Sequence, residues 1–256
     1  MKVVLTIAGS DSSGGAGIQA DLKTFEAFGV FGTSAITVVT AQNTTGVQAL
    51  LPLSVDFIQQ QIQSVLSDFD VAAIKIGMLF DTDIIQMIQR LIEPLTIPIV
   101  LDPVCISKAG SPLLKDDAIY ALRDLSRFVT LSTPNLHEAY RLFGYKPEDA
   151  NSIAQLINHP TPVLIKHHIT DTTTADILYF GQQKQIFSAP MIDSTSQHGT
   201  GCSYSSAITA NLALGLSLED SIQKAKRFIT HAIIHAPHIS HGPGPINHKA
   251  GGNHVA

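Results

Sequence analysis

The sequence predicts an α/β fold: a central, mostly parallel sheet with helices on both faces and an antiparallel hairpin at one edge. Three observations predict it. Short β-branched and apolar runs alternate with segments of helical period, as expected when buried parallel strands are joined by crossover helices. The runs end in small or polar residues, at Ala8-Gly9-Ser10-Asp11, Thr40-Ala41-Gln42-Asn43, Ile76-Gly77-Met78 and Leu101-Asp102-Pro103. Late in the chain, Asp176 to Phe180 and Gln185 to Ala189 flank Gly181-Gln182-Gln183-Lys184, a hairpin signature.

In chain order, the strand Val3 to Ala8 leads through a Gly-rich turn to a helix, Gly17 to Phe28. Ser34 to Thr40 reads as a strand and Ser54 to Ser67 as the next helix. Ala72 to Ile76 and Ile97 to Leu101 read as strands around a helix, Asp81 to Ile92. The helix Asp116 to Leu125 then precedes the strand Phe128 to Leu131, and helices Leu136 to Phe143 and Ser152 to Ile157 precede the strand Pro162 to Lys166. Helices Thr200 to Leu214 and Leu218 to His235 follow the hairpin. With no internal repeat or linker, one domain over 1–256 is expected. From His238 onward the chain is rich in Gly, Pro and His and aperiodic, so its last eight or so residues are expected to be a mobile tail. Ligands in open α/β sheets bind outside the carboxyl ends of strands, so the four polar ends named above should meet at one cleft.

Composition narrows the function classes. At 256 residues, 45% hydrophobic and 14% charged, the chain is suited to a substantial core and unsuited to disorder. A net charge of −5 without a Lys/Arg cluster gives no electrostatic footprint for nucleic acid. No apolar run reaches the ~18 residues needed to span a bilayer, and the first residues do not read as a signal peptide. The two cysteines, Cys105 and Cys202, have neither metal-ligand spacing nor a disulfide framework, so a reduced, cytoplasmic setting is the default.

The most informative stretch is His198-Gly199-Thr200-Gly201-Cys202, which opens the helix from Thr200. Two glycines around a threonine allow a tight turn that points N–H groups into one concavity. The helix start adds unpaired N–H groups and a positive dipole end. Such a site suits the charge on a phosphoryl group in transfer. A helix N-terminus also lowers a thiol's pKa, which would activate Cys202. The plainer alternative is a Gly-rich loop before an ordinary helix, with Cys202 in the core. Gly14-Gly15-Ala16-Gly17 has neither dinucleotide-loop spacing nor a Walker lysine.

Seven blocks in order, spanning positions 5 to 248, resemble the hydroxymethylpyrimidine/phosphomethylpyrimidine kinases of thiamine biosynthesis, in the ribokinase superfamily. Besides the Cys202 motif they are the stretch Leu5 to Asp21, Ala41-Gln42-Asn43-Thr44, Lys75-Ile76-Gly77-Met78, Asp102-Pro103-Val104, Thr133-Pro134-Asn135-Leu136-His137-Glu138-Ala139, and Gly244-Pro245-Ile246-Asn247-His248. The resemblance implies a ribokinase-like three-layer α/β/α fold, ATP as phosphoryl donor, Mg²⁺, a small pyrimidine acceptor, and a homodimer. Pyridoxal kinases of the same family and a non-catalytic pyrimidine-binding protein are the alternatives.

The resemblance also assigns residues. Cys202 becomes the proton acceptor, and Gly199, Thr200 and Gly201 the cradle of the transferring phosphoryl. Gly9, Ala16 and Asp21 belong to the segment lining the pyrimidine pocket, although Asp21 read alone is a first-turn helix acid. Gln42 offers an amide whose donor and acceptor match an aminopyrimidine edge, against the alternative of a solvated loop residue. Met78 and Val104 supply apolar walls, although a lone Met is more often core. Asn135 and Glu138 help to place Mg²⁺ beside Asp102, and the same pair fits a capping box. Lys166 and Thr195 fall to the nucleotide. After Lys166 the family's glycines are replaced by His167-His168-Ile169-Thr170, which is expected to crowd ATP. A metal site from His231, His235, His238 and His241 finds no carboxylate or Cys nearby in the sequence.

Overall fold

The computed structural model describes residues 1–106, 110, 113–169 and 172–255, without the side chains of His167 and Val255. Side-chain alternation along the first strand, β1 (Val3–Ala8), sets the layers. Leu5 and Ile7 pack with Ile58 of α2 (Val55–Asp68) and Ile84 of α3 (Thr82–Ile92). Val4 faces the other way, against Phe25 of α1 (Gly17–Ala27) and Ala210 of α7 (Thr200–Ala213). A strand with both faces covered in this way reads as a near-continuous apolar run, which is why its sequence signal is clear.

Beyond β1 the sheet contains β2 (Phe31–Ile36), β5 (Val71–Ile76), β6 (Ile99–Leu101), β7 (Leu131–Ser132), β8 (Val163–Ile169), β9 (Thr173–Phe180) and β10 (Gln183–Pro190). Its order is β10-β9-β8-β7-β6-β5-β1-β2. All pairings from β2 to β8 are parallel, and β8, β9 and β10 pair antiparallel. The chain leaves β1 toward β2 and later returns to β5 on the other side, so the switch point lies between β1 and β5. A ligand crevice is expected there. One face carries α1, α7, α8 (Leu218–Ile234) and α9 (His248–Val255). The other carries α2, α3, α4 (Ile119–Leu125), α5 (Leu136–Phe143) and α6 (Ala150–Ile157). The result is the expected three-layer α/β/α arrangement with an antiparallel edge hairpin.

Four stretches differ from the sequence reading. The run from Ser34 to Thr40 is not one strand. Thr37 is pinned by bonds from its N–H to the Ala8 carbonyl (3.0 Å) and from its hydroxyl to the Met78 carbonyl (2.7 Å). Beyond that pin, β3 (Val38–Asn43) leaves the main sheet and pairs with β4 (Gly46–Pro52). The segment from Phe128 to Leu131 strands only at its end, because Ser126–Phe128 form a turn of 3₁₀ helix. The aperiodic stretch at the end of the chain forms α9, in which Gly251 lies against Phe228 and Gly252 against Ala27, so missing side chains permit packing that periodicity does not reveal. In the edge hairpin the turn shortens to Gly181-Gln182, both with positive φ, and Gln183 and Lys184 join β10. No helix among the described residues is long and apolar enough to cross a membrane.

Candidate active site

At the carboxyl ends of β1, β5 and β6 a cavity of about 520 Å³ opens, large enough for a small heteroaromatic ring and a phosphate. Gly9 and Ala16 form its floor, and Met78, Val104 and Leu113 give it apolar walls. Gln42 reaches it from β3, where a register shift between Ala41 and Gln42 redirects the side chain. Ser12 fixes the Gln42 backbone, accepting from its N–H (2.8 Å) and donating to its carbonyl (2.7 Å). Met78 is thus both core and wall, being 8% exposed.

Asp21 does not line this cavity. Its carboxylate is fully buried, bonded to Lys75 Nζ (2.8 Å), Thr6 Oγ1 (2.7 Å) and Ser206 Oγ (2.7 Å). All three donors sit on the α1/α7 side of the sheet, and Asp21 points at them because it lies on the buried face of α1. Its place at the cavity is taken by Lys75, a lining residue. Burial works against the Lys75 charge, but the Asp21 carboxylate outweighs it and holds the ammonium above the ordinary lysine range.

The opposite end of the cavity is the loop entering α7. Gly199 has φ +80°, and a Cβ there would run into the Gly15 carbonyl oxygen. Glycine is therefore required both by the turn and by the neighbouring loop. A Cβ on Gly201 would lie 3.4 Å from Lys166 Nζ and 3.7 Å from Asp102 Oδ2, so the loop passes directly over that ion pair. Lys166 and Asp102 are both buried and 2.8 Å apart. Burial opposes both charges, yet each partner offsets it for the other: Asp102 is held below the usual carboxylate range and Lys166 above the usual lysine range. Thr200 and Cys202 complete the rim.

The Cys202 thiol is not activated as the helix terminus suggested. Burial pushes it up to about 11, and the carboxylates of Asp102 and Asp21 add to that; Lys75 and the Gly17 N–H pull the other way and do not prevail. Asn135 and Glu138 form the capping box of α5, with Glu138 N–H to Asn135 Oδ1 and Asn135 N–H to Glu138 Oε2 both at 2.9 Å. Both also line the cavity, so structural and site roles coincide. Burial, with the nearby Asp102 charge, lifts Glu138 to about 7 despite Lys166.

A second hollow lies behind the same loop. It shares Lys166, Gln197, Thr200 and Gly201 with the first and extends over Ile169, Pro190, Tyr204 and Ile229, between the edge hairpin and α8. Thr195 borders neither and is exposed, in a shallow surface pocket with Ile192 and Ile233. The side chain of His167 lies outside the described set. His168 borders neither hollow, and its ring packs edge-on to Tyr145 at 6.2 Å, so it does not crowd this space. Of the tail histidines, His231 stacks face to face on His235 and His254, and no group of three or more His, Cys, Asp or Glu side chains among the described residues is placed to hold a metal ion.

Among the lining residues to which sequence reasoning gave no role are Asp11, His198 and Lys75. Asp11 Oδ2 and His198 Nε2 are 2.7 Å apart. A lysine inside an apolar strand run, Ala-Ala-Ile-Lys-Ile, was the available signal for a buried pair. An Asp followed by two serines signals a capped turn. Nothing local links residue 11 to residue 198.

A three-layer α/β/α fold, a strand-end cavity and a glycine loop at a helix start place the chain in the ribokinase-like class. Within that class the chain belongs to the phosphomethylpyrimidine kinase family, whose model matches residues 11–247. It is 44% identical to the hydroxymethylpyrimidine/phosphomethylpyrimidine kinase of Haemophilus influenzae, over 98% of this chain and 97% of that one. The enzyme of that description from Escherichia coli is 40% identical, over 95% and 96%. Among solved structures, an ADP complex of Bacillus subtilis pyridoxal kinase has a TM-score of 0.88 at 36% identity, covering 98% of both chains. A phosphomethylpyrimidine kinase from Clostridium difficile has a TM-score of 0.75 at 39% identity, covering 91% of this chain and all of that one.

Proposed function

We propose that this kinase transfers the γ-phosphoryl of ATP to 4-amino-5-hydroxymethyl-2-methylpyrimidine and then to its monophosphate, in thiamine biosynthesis. The observation that carries the reading is one cavity with the Gln42 amide at one end and the Gly199–Cys202 loop over Lys166 and Asp102 at the other. An aminopyrimidine edge pairs with the amide, Met78 and Val104 hold the ring faces, and the hydroxymethyl arm extends toward Cys202. The nucleotide lies behind the loop, with Lys166 and the N–H groups of Gly201 and Cys202 on its phosphates.

In the first transfer the acceptor hydroxyl attacks in line and the thiolate form of Cys202, a small fraction with the thiol pushed up to about 11, takes its proton. The transition state is loose, so the proton is lost late and modest base assistance suffices. Lys75 and Lys166 favour the thiolate and balance the phosphate charge. The carboxylates of Asp102 and Glu138 fit Mg²⁺, being hard oxygen donors close enough to raise Glu138. One oxygen of each is already engaged, by Lys166 and by the Asn135 N–H, which favours contact through water. When bound there, Mg²⁺ would neutralise charge on the nucleotide phosphates.

Pyridoxal is the second acceptor to test, favoured by the TM-score of 0.88 to a pyridoxal kinase. An ADP-release assay across hydroxymethylpyrimidine, its phosphate and pyridoxal decides. Turnover with the first two supports the proposal. Preference for pyridoxal reassigns the acceptor, and binding of pyrimidine without ADP release removes the kinase reading.

A further inference from the structure

We propose that Asp11 and His198 are a positioning pair that locks the phosphoryl-transfer loop to the floor of the acceptor pocket. The proposal rests on the kinase reading above. The two residues are 187 positions apart and both nearly buried, with Asp11 2% and His198 5% exposed. Asp11 cannot swing. Its carboxylate also accepts from the N–H groups of Ser13 (2.9 Å), Gly15 (3.2 Å) and Ala16 (2.8 Å) and from the Ser13 hydroxyl (2.7 Å). These donors bind the turn that ends at Ala16, on the acceptor floor, so the carboxylate is part of that floor.

His198 is held from two further directions. Its ring lies so close to Gly15 that a Cβ there would overlap it, and the His198 backbone N–H donates to the Gly244 carbonyl at 3.0 Å. The next residue is Gly199, which passes against the Gly15 carbonyl. A shift of the ring therefore shifts Gly199 to Cys202, the segment proposed to cradle the phosphoryl group. The block Gly244 to His248 acts from the outer side, since His248 Nε2 also meets Ser203 Oγ at 2.8 Å. Stability alone does not explain such a pair, because replacing both partners of a buried hydrogen bond by apolar groups of the same shape is often nearly neutral. Geometry does explain it. A misplacement of about 1 Å at a transfer site can slow turnover by about 10²-fold.

The test compares His198→Ala, His198→Gln and His198→Phe with the unaltered chain. His198→Ala should lower kcat by about 10²-fold, with KM for pyrimidine and for ATP within about threefold. The Gln amide can reach Asp11 and should recover at least tenfold of that loss. Phe fills the space against Gly15 without the bond and should stay slow. It also serves if the alanine variant does not fold. Amide exchange across 197–203, measured without substrate, should quicken in Ala and Phe but not in Gln. Unchanged exchange, a Gln variant as slow as Phe, or a rise in acceptor KM with kcat intact would overturn the proposal. A wild-type chain that releases no ADP would instead overturn the kinase reading, and the exchange result would still judge the pair.

Discussion

Replacing Cys202 separates the two phosphoryl transfers. The first acceptor is an alcohol, whose proton must leave. The second is a phosphate monoester with a second pKa of about 6, so its attacking oxygen is already ionised at neutral pH and needs no base. Cys202→Ala should therefore slow the first transfer by about 10²-fold and the second by less than about tenfold. The raised thiol adds a pH signature. With the thiol pushed up to about 11, the thiolate fraction grows tenfold per pH unit through the accessible range. The first transfer should climb with that slope between about pH 7 and 9, and the second should be flat. In Cys202→Ala the slope should vanish. Cys202→Ser should be no better, because a hydroxyl is the weaker base. Single-turnover rates for each acceptor, at saturating ATP and several pH values, provide the measurement. Equal slowing of both transfers would show that Cys202 shapes the loop rather than moving a proton. A pH-independent first transfer in the unaltered chain would refute the argument from thiol burial.

Gln42→Leu should raise KM for the pyrimidine by roughly 10- to 100-fold and leave that for ATP unchanged, since a ring amine would lose its partner at about 1–3 kcal/mol; equal changes in both would refute ring recognition. Lys75→Met leaves the Asp21 carboxylate buried without its cation and should cost about 3–5 kcal/mol in urea unfolding, while Lys75→Met with Asp21→Asn recovers most of it. A stable single variant would contradict the pairing. His168→Gly should leave KM for ATP unchanged at pH 6 and pH 8, because the ring packs on Tyr145 and borders neither hollow. His248 is held down to about 4 by burial, with Lys23 adding to it, so between about pH 6.5 and 4 the unfolded chain binds a proton that the native chain does not. Stability should thus fall on acidification through that window by up to about 3 kcal/mol, and His248→Gln should flatten the dependence.

The sequence shows where the chemistry lies more clearly than how it is held. The strand Val3–Ala8 and the helix Leu136–Phe143 are legible because a fully buried strand and a capped amphipathic helix each leave local patterns. The strand β4 and the helix α9 are not, because one pairs outside the main sheet and the other packs through glycines. The same division runs through the site. Gln42, Met78, Asp102, Asn135, Glu138, Lys166 and Cys202 all follow from reading strand ends and motif blocks, and the structure brings them to one cavity. Asp21 reads as a ligand because motif blocks record which residues occur together, not which way they point. Only its position on the buried face of α1, opposite Lys75, turns it from the pocket. Gly199 shows the difference most sharply. Glycine in a phosphoryl loop suggests close approach to phosphate, yet the atom that a Cβ would strike is the Gly15 carbonyl. Gly15 and Gly199 therefore record the contact of the two loops with each other, and on the proposed reading the chemistry depends on that contact being kept.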